Sequence, residues 1–547
     1  MGYLKSNSSP NPSNRYAWSC LLAALIWIAI VRIPLVLNAE IHLDSDLAVD
    51  GLTLLDMTHG NWRWHFPGTP YMSSLPVVLS LPGALMFGVN AMTLVVGGVI
   101  AYELFVVAMF FLVRRMFGTP AACWALIPLT FASVGTVWLS GRLSGGHLLT
   151  LAWHATALAM LPTFAPKGGY FKALGYGLWC GLGYSLDGMF LMTLAFVSLP
   201  TVNAVFQVPG FFRILTLITL IGLGFGLGDL PREIGARVDP HDAYKEQFST
   251  IFERDAAGRL DRARTRGLLA EHGKLFALEC LPRLITGHRL VESHLPTAPV
   301  PETLAGGAPK EQSSGSPIVA AMVVGLSVTA FLGALLTLMI TCLRVPPQAI
   351  VNLPWAIVGS VSLVTLFFLI NKNIYNSDNY RYLVYYLVPW SAGFGLMMAR
   401  LWTKGTGGKL SAIVISGALA VLFTLDTASW YRGFGWVDEV GRPVRRIVDD
   451  PALTWLRKHP EIDAIFGGYW DVYRYQFLLG GKLVGVPFPI YPDRYDTTKD
   501  FADRQPRLMI ARKGEFNNFY PDFAIKRGGR VLLETRERLV IDWPRAK

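Results

Sequence analysis

Residues 17–51 read AWSCLLAALIWIAIVRIPLVLNAEIHLDSDLAVDG, an apolar run that is followed at once by four acidic side chains. A helix of about 20 apolar residues crosses the hydrocarbon core of a bilayer, and residues 17–37 have that length. Further apolar runs follow along the chain, so we interpret this one as a retained transmembrane helix and not as a cleaved signal peptide. The acidic residues after it then lie in water or at the membrane surface.

The composition indicates that the bilayer is the solvent for much of the chain. Of the 547 residues, 52% are hydrophobic and 16% are charged, and the mean hydropathy is +0.39. These values exclude an ordinary soluble globular protein of this length. The net charge of +11 is compatible with nucleic-acid binding, but the Lys and Arg residues fall mostly in short hinges and not on one basic face. We therefore expect contacts with anionic membrane lipids and no nucleic acid.

The apolar runs predict a polytopic α-helical membrane protein with about eleven transmembrane helices. The runs lie near residues 17–37, 91–113, 119–138, 147–164, 173–186, 188–206, 213–228, 317–343, 352–370, 382–402 and 410–428. If the spans alternate in direction, the basic hinges fall on one face, which the positive-inside rule identifies as the cytoplasm. We expect a multi-pass protein of the bacterial inner (plasma) membrane, with a cytoplasmic N-terminus; the alternative is the endoplasmic reticulum.

Three large polar segments then fall together on the outer face. They are the first outer loop at residues 38–90, a block at residues 229–316, and the tail. We predict a transmembrane domain at residues 1–428 and an extracytoplasmic domain at residues 429–547. In the tail, short apolar stretches alternate with helical pieces, which predicts a soluble α/β fold. The apolar stretches lie near residues 464–466, 483–486, 507–510 and 530–533.

The middle block divides into two parts of different composition. Residues 241–289 are charged and favour amphipathic helices that lie on the helix bundle or on the membrane surface. Residues 296–317 are rich in Pro, Gly and Ser and indicate a linker.

The first outer loop carries more carboxylates than a simple connection needs. Asp44 or Ser45 can cap a helix that ends near Gly60 and lies along the membrane interface. Helical spacing places Asp46 and Asp50 one turn apart on one face, near the helix N-terminus, where backbone N–H groups favour an anion. An ionised carboxylate held there can take the proton of an acceptor hydroxyl. The alternative is that Asp44 only caps the helix and the other carboxylates, including Asp56, only face water.

The order of these features resembles the GT-C superfamily of membrane glycosyltransferases, which includes protein mannosyltransferases and the lipid A aminoarabinose transferase. The resemblance rests on a first span that ends in Arg32-Ile-Pro34, the acidic signature, and the Pro-Tyr-Met-Ser-Ser-Leu turn at residues 70–75. It implies a sugar donor on a polyprenyl phosphate and a catalytic Asp in the first outer loop, which is Asp46 here. Many members read Asp-Glu-Ala where this chain has Asp46-Leu47-Ala48, so the second carboxylate is missing.

Metal dependence stays open at the sequence level. Asp44-Ser-Asp46 resembles a metal-binding Asp-x-Asp pair, so a divalent metal is considered beside a mechanism that needs no cofactor. Neither His147 nor His154 shows the spacing of a zinc site.

Two arginines near predicted outer helix ends are candidates for binding the donor phosphate. Arg142 lies in a Ser- and Gly-rich connection between two spans, and Arg381 precedes Tyr382 and Leu383 in an Arg-Tyr-Leu run that is similar to a segment common in the superfamily. A guanidinium can bind a lipid phosphate and stabilise its developing charge. The alternative is interfacial snorkelling of the two side chains.

Asp44, Asp50 and Tyr382 are further candidates for contact with substrate, and three other features complete the predicted site. Asp187 stands where relatives often carry Lys, and we expect it to contact substrate hydroxyls or an arginine. Tyr71 belongs to an aromatic cluster that either stacks on a sugar ring or anchors the loop at the interface. The aromatic residues 467–473 in the tail either shape the acceptor site or form the core of the tail domain.

These observations predict an inverting transferase that moves one sugar from a polyprenyl phosphate to a glycan, lipid or protein acceptor outside the membrane. Asp46 would act as the base. Two alternatives remain, a ligase or polymerase of lipid-linked glycans, and a secondary transporter. The carboxylate-rich first loop favours the transferase over both, because ligases usually place their key residues in a late loop and transport requires no such loop.

Overall fold

The computed structural model describes residues 12–161, 169–238, 258–259, 261–291, 317–344, 353–374, 376–447, 450–488, 495, 508–514 and 519–543. The first twelve helices are α1 (Pro12–Leu37), α2 (Ser45–Thr58), α3 (Leu75–Val78), α4 (Leu81–Phe87), α5 (Ala91–Phe117), α6 (Thr119–Ala125), α7 (Ile127–Thr130), α8 (Val134–Leu139), α9 (Leu148–Ala159), α10 (Gly169–Leu186), α11 (Leu191–Phe206) and α12 (Phe211–Val238). A short hairpin of β1 (His65–Phe66) and β2 (Thr69–Ser73) follows α2.

The later helices begin in the middle block and continue through the tail. They are α13 (Arg262–Leu275), α14 (Leu281–Thr286), α15 (Pro317–Arg344), α16 (Leu353–Ile370), a 3-10 helix (Ser377–Tyr386), α17 (Leu387–Trp402), α18 (Gly405–Gly433), α19 (Pro451–Lys458), α20 (Tyr469–Leu478) and α21 (Phe519–Lys526). Helices α13 and α14 fall within the helical part predicted for the middle block. Residues 241–257 and 260 of that part, and the predicted linker up to the residue before Pro317, lie outside the described residues.

The protein is an integral, multi-pass membrane protein of mostly helical fold, as predicted. Within the described ranges, 8 helices are long and apolar enough to cross a membrane. Two shorter apolar segments, Thr119–Thr130 and Leu148–Ala159, contain no continuous helix longer than 12 residues. Such a helix is too short for a complete crossing. The predicted number of eleven spans is therefore not confirmed.

The first span shows how the bilayer acts as solvent. Leu22, Ile26 and Ile30 recur every fourth residue on α1 and are 60%, 52% and 50% exposed. Ala24 and Ile28, on the opposite face, are buried in the helix bundle. A helix with an exposed aliphatic stripe is stable only where that stripe contacts lipid.

Glycines allow α10 and α12 to pack in close contact. A Cβ atom at Gly177 would collide with the backbone of Ile221, and one at Gly228 would collide with the backbone of Leu178. Small residues at such crossings let two membrane helices approach until their backbones touch. The sequence gives no direct signal for this pairing, because each of the two helices is apolar on several faces.

The tail contains a five-stranded mixed sheet, which agrees with the predicted α/β fold. The strands are β3 (Ala464–Gly467), β4 (Val484–Pro487), β5 (Leu508–Arg512), β6 (Arg530–Glu534) and β7 (Arg538–Asp542), and their order is β4-β3-β5-β7-β6. Strands β3, β4 and β5 are parallel, and the other pairs are antiparallel. The predicted domain boundary at residue 428 falls inside α18, which ends at Gly433.

A buried ion network fixes α20 against this sheet. Asp471 on α20 accepts from Arg512 at 2.6 and 2.8 Å and from Arg538 at 3.1 Å. Arg474, one turn later on α20, pairs with Asp450 at 2.8 Å. Burial raises the pKa of Asp471, but the adjacent guanidinium groups more than offset that effect and hold it below its ordinary value. Removing one partner of such a network costs roughly 3–5 kcal/mol, so α20 is held firmly on the sheet.

Candidate active site

Helix α2 begins with a capped N-terminus beside the membrane domain. Asp44 Oδ1 accepts a hydrogen bond from the backbone N–H of Leu47 at 2.8 Å, so the predicted cap is confirmed. Oδ2 of Asp44 pairs with Nη1 of Arg142 at 2.6 Å. Burial raises the pKa of Asp44, and the guanidinium of Arg142 opposes that rise. Both carboxylate oxygens of Asp44 thus bind groups of the protein itself.

Asp46 lies in the first turn of α2 and reaches two other parts of the chain. Its Oδ1 accepts a hydrogen bond from the hydroxyl of Tyr469 at 2.7 Å, and its Oδ2 lies 3.4 Å from Nη1 of Arg381. The side chain of Asp46 is 19% exposed. The helix N-terminus, the hydroxyl and the guanidinium all favour the charged carboxylate.

The two candidate arginines differ in how tightly the protein holds them. Nη2 of Arg142 donates to the carbonyl of His42 at 3.1 Å, and its Cζ lies 4.3 Å from the centre of a Trp138 ring. With the ion pair to Asp44, these contacts leave the Arg142 side chain 8% exposed. Arg381 is 31% exposed and meets Asp46 at a longer distance. Arg381 is therefore the better placed of the two to bind a substrate phosphate.

Asp50 connects α2 to the loop at residues 140–147. Its Oδ1 accepts from the hydroxyl of Ser144 at 2.6 Å, and its Oδ2 accepts from the Ser144 backbone N–H at 3.2 Å. Burial raises the pKa of Asp50 to about 7, although the donors on Ser144 oppose the rise. Asp50 is 1% exposed and does not line the cleft described below. The contact of Asp50 with substrate stays a prediction, whereas the structure shows its contact with the loop.

Asp187 pairs with a histidine, whereas the sequence predicted a substrate hydroxyl or an arginine as its partner. Its Oδ1 caps the turn after α10 by accepting from the Met189 backbone N–H at 2.9 Å. Its Oδ2 lies 2.6 Å from Nδ1 of His147 and 3.3 Å from the hydroxyl of Thr150. Asp187 and His147 are both buried, at 1% and 5% exposure.

These residues surround a small cleft of about 50 Å³. Its lining consists of Asp46, Phe66, Thr69, Met72, Ser144, Gly145, His147, Arg381 and Tyr382. Three predicted site residues, Asp46, Arg381 and Tyr382, thus come together from α2 and the 3-10 helix. The side chain of Tyr71 lies outside the described residues, although its strand, β2, contributes neighbouring residues to the lining.

The sequence did not assign Tyr469 or His147 to this site. Tyr469 is the first residue of α20 and follows the Gly-Gly turn at the carboxyl end of β3. Its carbonyl also accepts a hydrogen bond from Ser45 at 2.6 Å. The aromatic segment at residues 467–473 was the signal for Tyr469, but its connection to Asp46, 423 positions away, depends on how the tail docks.

The carboxylates of the acidic loop are neutralised by arginines in this conformation. No group of three or more His, Cys, Asp or Glu side chains within the described ranges could hold a metal ion. The two carboxylates of the Asp-x-Asp pair each face a different arginine, Asp44 facing Arg142 and Asp46 facing Arg381. Each carboxylate is therefore already matched by a positive charge.

The fold is similar to that of solved membrane glycosyltransferases. The crystal structure of ArnT from Cupriavidus metallidurans, bound to undecaprenyl phosphate, aligns over 97% of this chain and 99% of ArnT, with a TM-score of 0.56 and 13% identity. Two structures of the Archaeoglobus fulgidus oligosaccharyltransferase AglB each have a TM-score of 0.51. One is a complex with an inhibitory peptide and a dolichol-phosphate, with 12% identity over 94% of this chain and 71% of AglB. The other is a complex with zinc and sulfate, with 13% identity over 92% of this chain and 69% of AglB.

ArnT, an aminoarabinose transferase, and AglB are both members of the GT-C superfamily, so the fold predicted from the sequence is confirmed. At these identities, the likeness shows the fold alone. No protein-family model matches the chain, and no curated protein is similar to it in sequence.

Proposed function

We propose that this protein is an inverting glycosyltransferase that moves a sugar from a polyprenyl phosphate to an acceptor hydroxyl at the outer surface of the bacterial inner membrane. The observation that carries the proposal is the pairing of Asp46 with Arg381 across a cleft, on a GT-C fold. A carboxylate that can accept a proton and a cation that can bind a phosphate are the two groups such a transfer needs.

Arg381 is the proposed phosphate-binding residue. Its contact with Asp46 is long for an ion pair, and its side chain is partly exposed. When a donor phosphate enters, the guanidinium can exchange the carboxylate for a phosphate oxygen and form shorter, charge-assisted hydrogen bonds. The solved ArnT and AglB complexes with polyprenyl phosphates support this donor class.

Asp46 is the proposed base. As Arg381 turns to the phosphate, Asp46 keeps the hydrogen bond from Tyr469 and can accept the acceptor's proton. The acceptor oxygen bonds to the anomeric carbon, and the bond from that carbon to the phosphate oxygen breaks. Attack from the face opposite the leaving phosphate inverts the anomeric centre.

The remaining predicted residues hold this pair in place. Arg142 and Asp44 fix the start of α2. Asp50 fixes the loop before α9, which contributes Ser144, Gly145 and His147 to the cleft. Tyr469 brings the tail to the site, so we place the glycan, lipid or protein acceptor between the tail and the cleft. The contact between Tyr469 in the tail and Asp46 in the first outer loop supports an outer location for the tail, with the N-terminus of the chain in the cytoplasm.

A divalent metal is not part of the proposed mechanism. The two arginines already supply positive charge beside the two carboxylates. The zinc in one AglB structure belongs to that protein.

The test is Asp46→Asn in purified protein, assayed for release of polyprenyl phosphate from a panel of polyprenyl phosphate sugars. Loss of a general base should lower turnover ~100-fold or more. Asp56→Asn is the matched control, because Asp56 lies on the same helix but forms a surface ion pair with Arg63; its turnover should stay within about twofold. Asp46→Asn turnover within a few-fold of the parent would contradict the role of Asp46.

Arg381→Ala tests the second half of the proposal. Loss of the guanidinium should raise KM for the donor much more than KM for the acceptor. If neither constant changes, Arg381 only anchors its helix at the interface and the phosphate is bound elsewhere.

A further inference from the structure

We propose that His147 and Asp187 form a proton-transfer pair that protonates the leaving phosphate, as the acid partner of the base Asp46. This inference rests on the proposed function and goes beyond it, because it assigns a second reacting group. Its starting observation is the 2.6 Å contact between Nδ1 of His147 and Oδ2 of Asp187.

The contact with Asp187 determines which ring nitrogen of His147 can react. A carboxylate beside Nδ1 keeps a proton on that nitrogen and fixes the orientation of the ring. Asp187 is itself held by the Met189 backbone N–H and by Thr150, so it cannot turn away. Because Nδ1 is occupied and His147 lines the cleft, Nε2 is the nitrogen left for a substrate.

The backbone at His147 is strained. His147 has φ +53°, the one non-glycine residue with positive φ among the described residues. A side chain with a Cβ atom adopts this region at a cost in free energy, and such residues cluster at functional sites. Glycine would adopt this conformation without the strain but would lack the side chain that contacts Asp187.

The position of His147 suits the leaving phosphate. The loop before it approaches Arg381 closely, since a Cβ atom at Gly145 would lie 3.6 Å from Nη1 of Arg381. The groups that face the His147 ring from the packed elements are Asp187, Tyr382, whose ring centre lies 5.4 Å away, and, across the cleft, Arg381 and Asp46. A phosphate bound by Arg381 would therefore lie beside the imidazole.

The proposed step conserves atoms and charge. Asp46 takes the proton of the acceptor hydroxyl as its oxygen bonds to the anomeric carbon. The bond between that carbon and the phosphate oxygen breaks, its electron pair stays on the oxygen, and protonated His147 gives that oxygen the Nε2 proton. The products are the glycosylated acceptor and a polyprenyl phosphate monoanion, and exchange with water resets both residues. A phosphate monoester with a second pKa near 6 is well matched to an imidazole donor.

The discriminating variant is His147→Asn. Asparagine tolerates positive φ and its amide can still donate to Asp187, so a purely structural role should survive, but it carries no transferable proton. We expect turnover to fall ~100-fold and the variant to lose the part of the parent's pH dependence that comes from the imidazole. His147→Gly, which fits the backbone, should regain turnover when imidazole is added.

A binding measurement separates this inference from the proposed function. Undecaprenyl phosphate is titrated into the full-length parent and into His147→Asn across the same pH range. We expect the parent to lose about tenfold in affinity relative to the variant as the pH rises and the imidazolium is lost. Binding and turnover in His147→Asn that match the parent at every pH would overturn the inference alone. No detectable binding of undecaprenyl phosphate to the parent would instead overturn the donor class proposed above.

Discussion

The packing of Gly51 against Phe477 predicts how the tail controls the site. Gly51 lies on α2, five residues after Asp46, and a Cβ atom there would lie 2.6 Å from Cδ2 and 2.7 Å from Cζ of the Phe477 ring on α20. Ordinary contacts are 3.4–4 Å, so in Gly51→Ala the buried Phe477 ring, or the helix that carries it, must move by about 1 Å. Alanine normally stabilises a helix interior by ~1 kcal/mol relative to glycine, whereas overpacking costs ~1–3 kcal/mol.

The same movement should weaken the contact between Tyr469 and Asp46, because Tyr469 lies on α20 and Asp46 lies on α2. A hydrogen bond to a charged group contributes ~1.5–3 kcal/mol, so we expect kcat/KM to fall roughly 10–100-fold in Gly51→Ala. The assay combines thermal unfolding of the purified protein with release of polyprenyl phosphate. Adding Phe477→Leu in the same chain should restore part of the loss, which a double-mutant cycle measures.

Gly417→Ala is the matched control for this experiment. Gly417 lies in the interior of α18, and a Cβ atom there has nothing within 4 Å. It should therefore gain the helix propensity of alanine without a clash and leave turnover unchanged. If Gly51→Ala and Gly417→Ala behave alike in stability and in turnover, the close approach of α2 and α20 does not control the site.

Two further predictions follow from single contacts. Tyr469→Phe removes the donor to Asp46 Oδ1 and should lower kcat roughly tenfold or more while melting stays near that of the parent; unchanged kcat would exclude a direct effect of the tail on the base. The pKa of Asp50 is raised from 3.8 to about 7, so its contribution to stability is complete below about pH 4 and is lost as the pH rises through 7. Asp50→Asn should therefore raise the Tm at pH 8 more than at pH 5, and an equal change at both values would contradict the buried environment inferred for Asp50.

The fold was predictable because its signals are local. Apolar runs of membrane-spanning length, the cap at Asp44 and the short apolar stretches of the tail each depend on neighbours in the chain. The number of spans was less predictable, since helices such as α9 are apolar yet too short to cross. The hydropathy of a segment depends only on its composition, whereas a membrane crossing also requires an unbroken helix of sufficient length.

The candidate site was predictable where the type of a residue indicated its role. It was less predictable where the role of a residue depends on a partner far away in the sequence. The sequence singled out Asp46 and Arg381, and the structure brings them to one cleft. It could not show that Asp187 meets His147, 40 positions away, or that Tyr469 reaches Asp46 from the tail. Such contacts are set by helix packing and domain docking, which leave no periodic pattern in the sequence.

The size of the cleft limits how a substrate can enter. A volume of about 50 Å³ accommodates one or two water molecules, each of which occupies ~30 Å³ in the liquid, and cannot accommodate a sugar ring. Donor entry must therefore push apart walls that belong to different helices, and the 3.4 Å contact between Arg381 and Asp46 is one of the ties between them. Once donor and acceptor fill it, such a narrow cleft leaves little room for water at the reacting carbon, which favours transfer over wasteful hydrolysis.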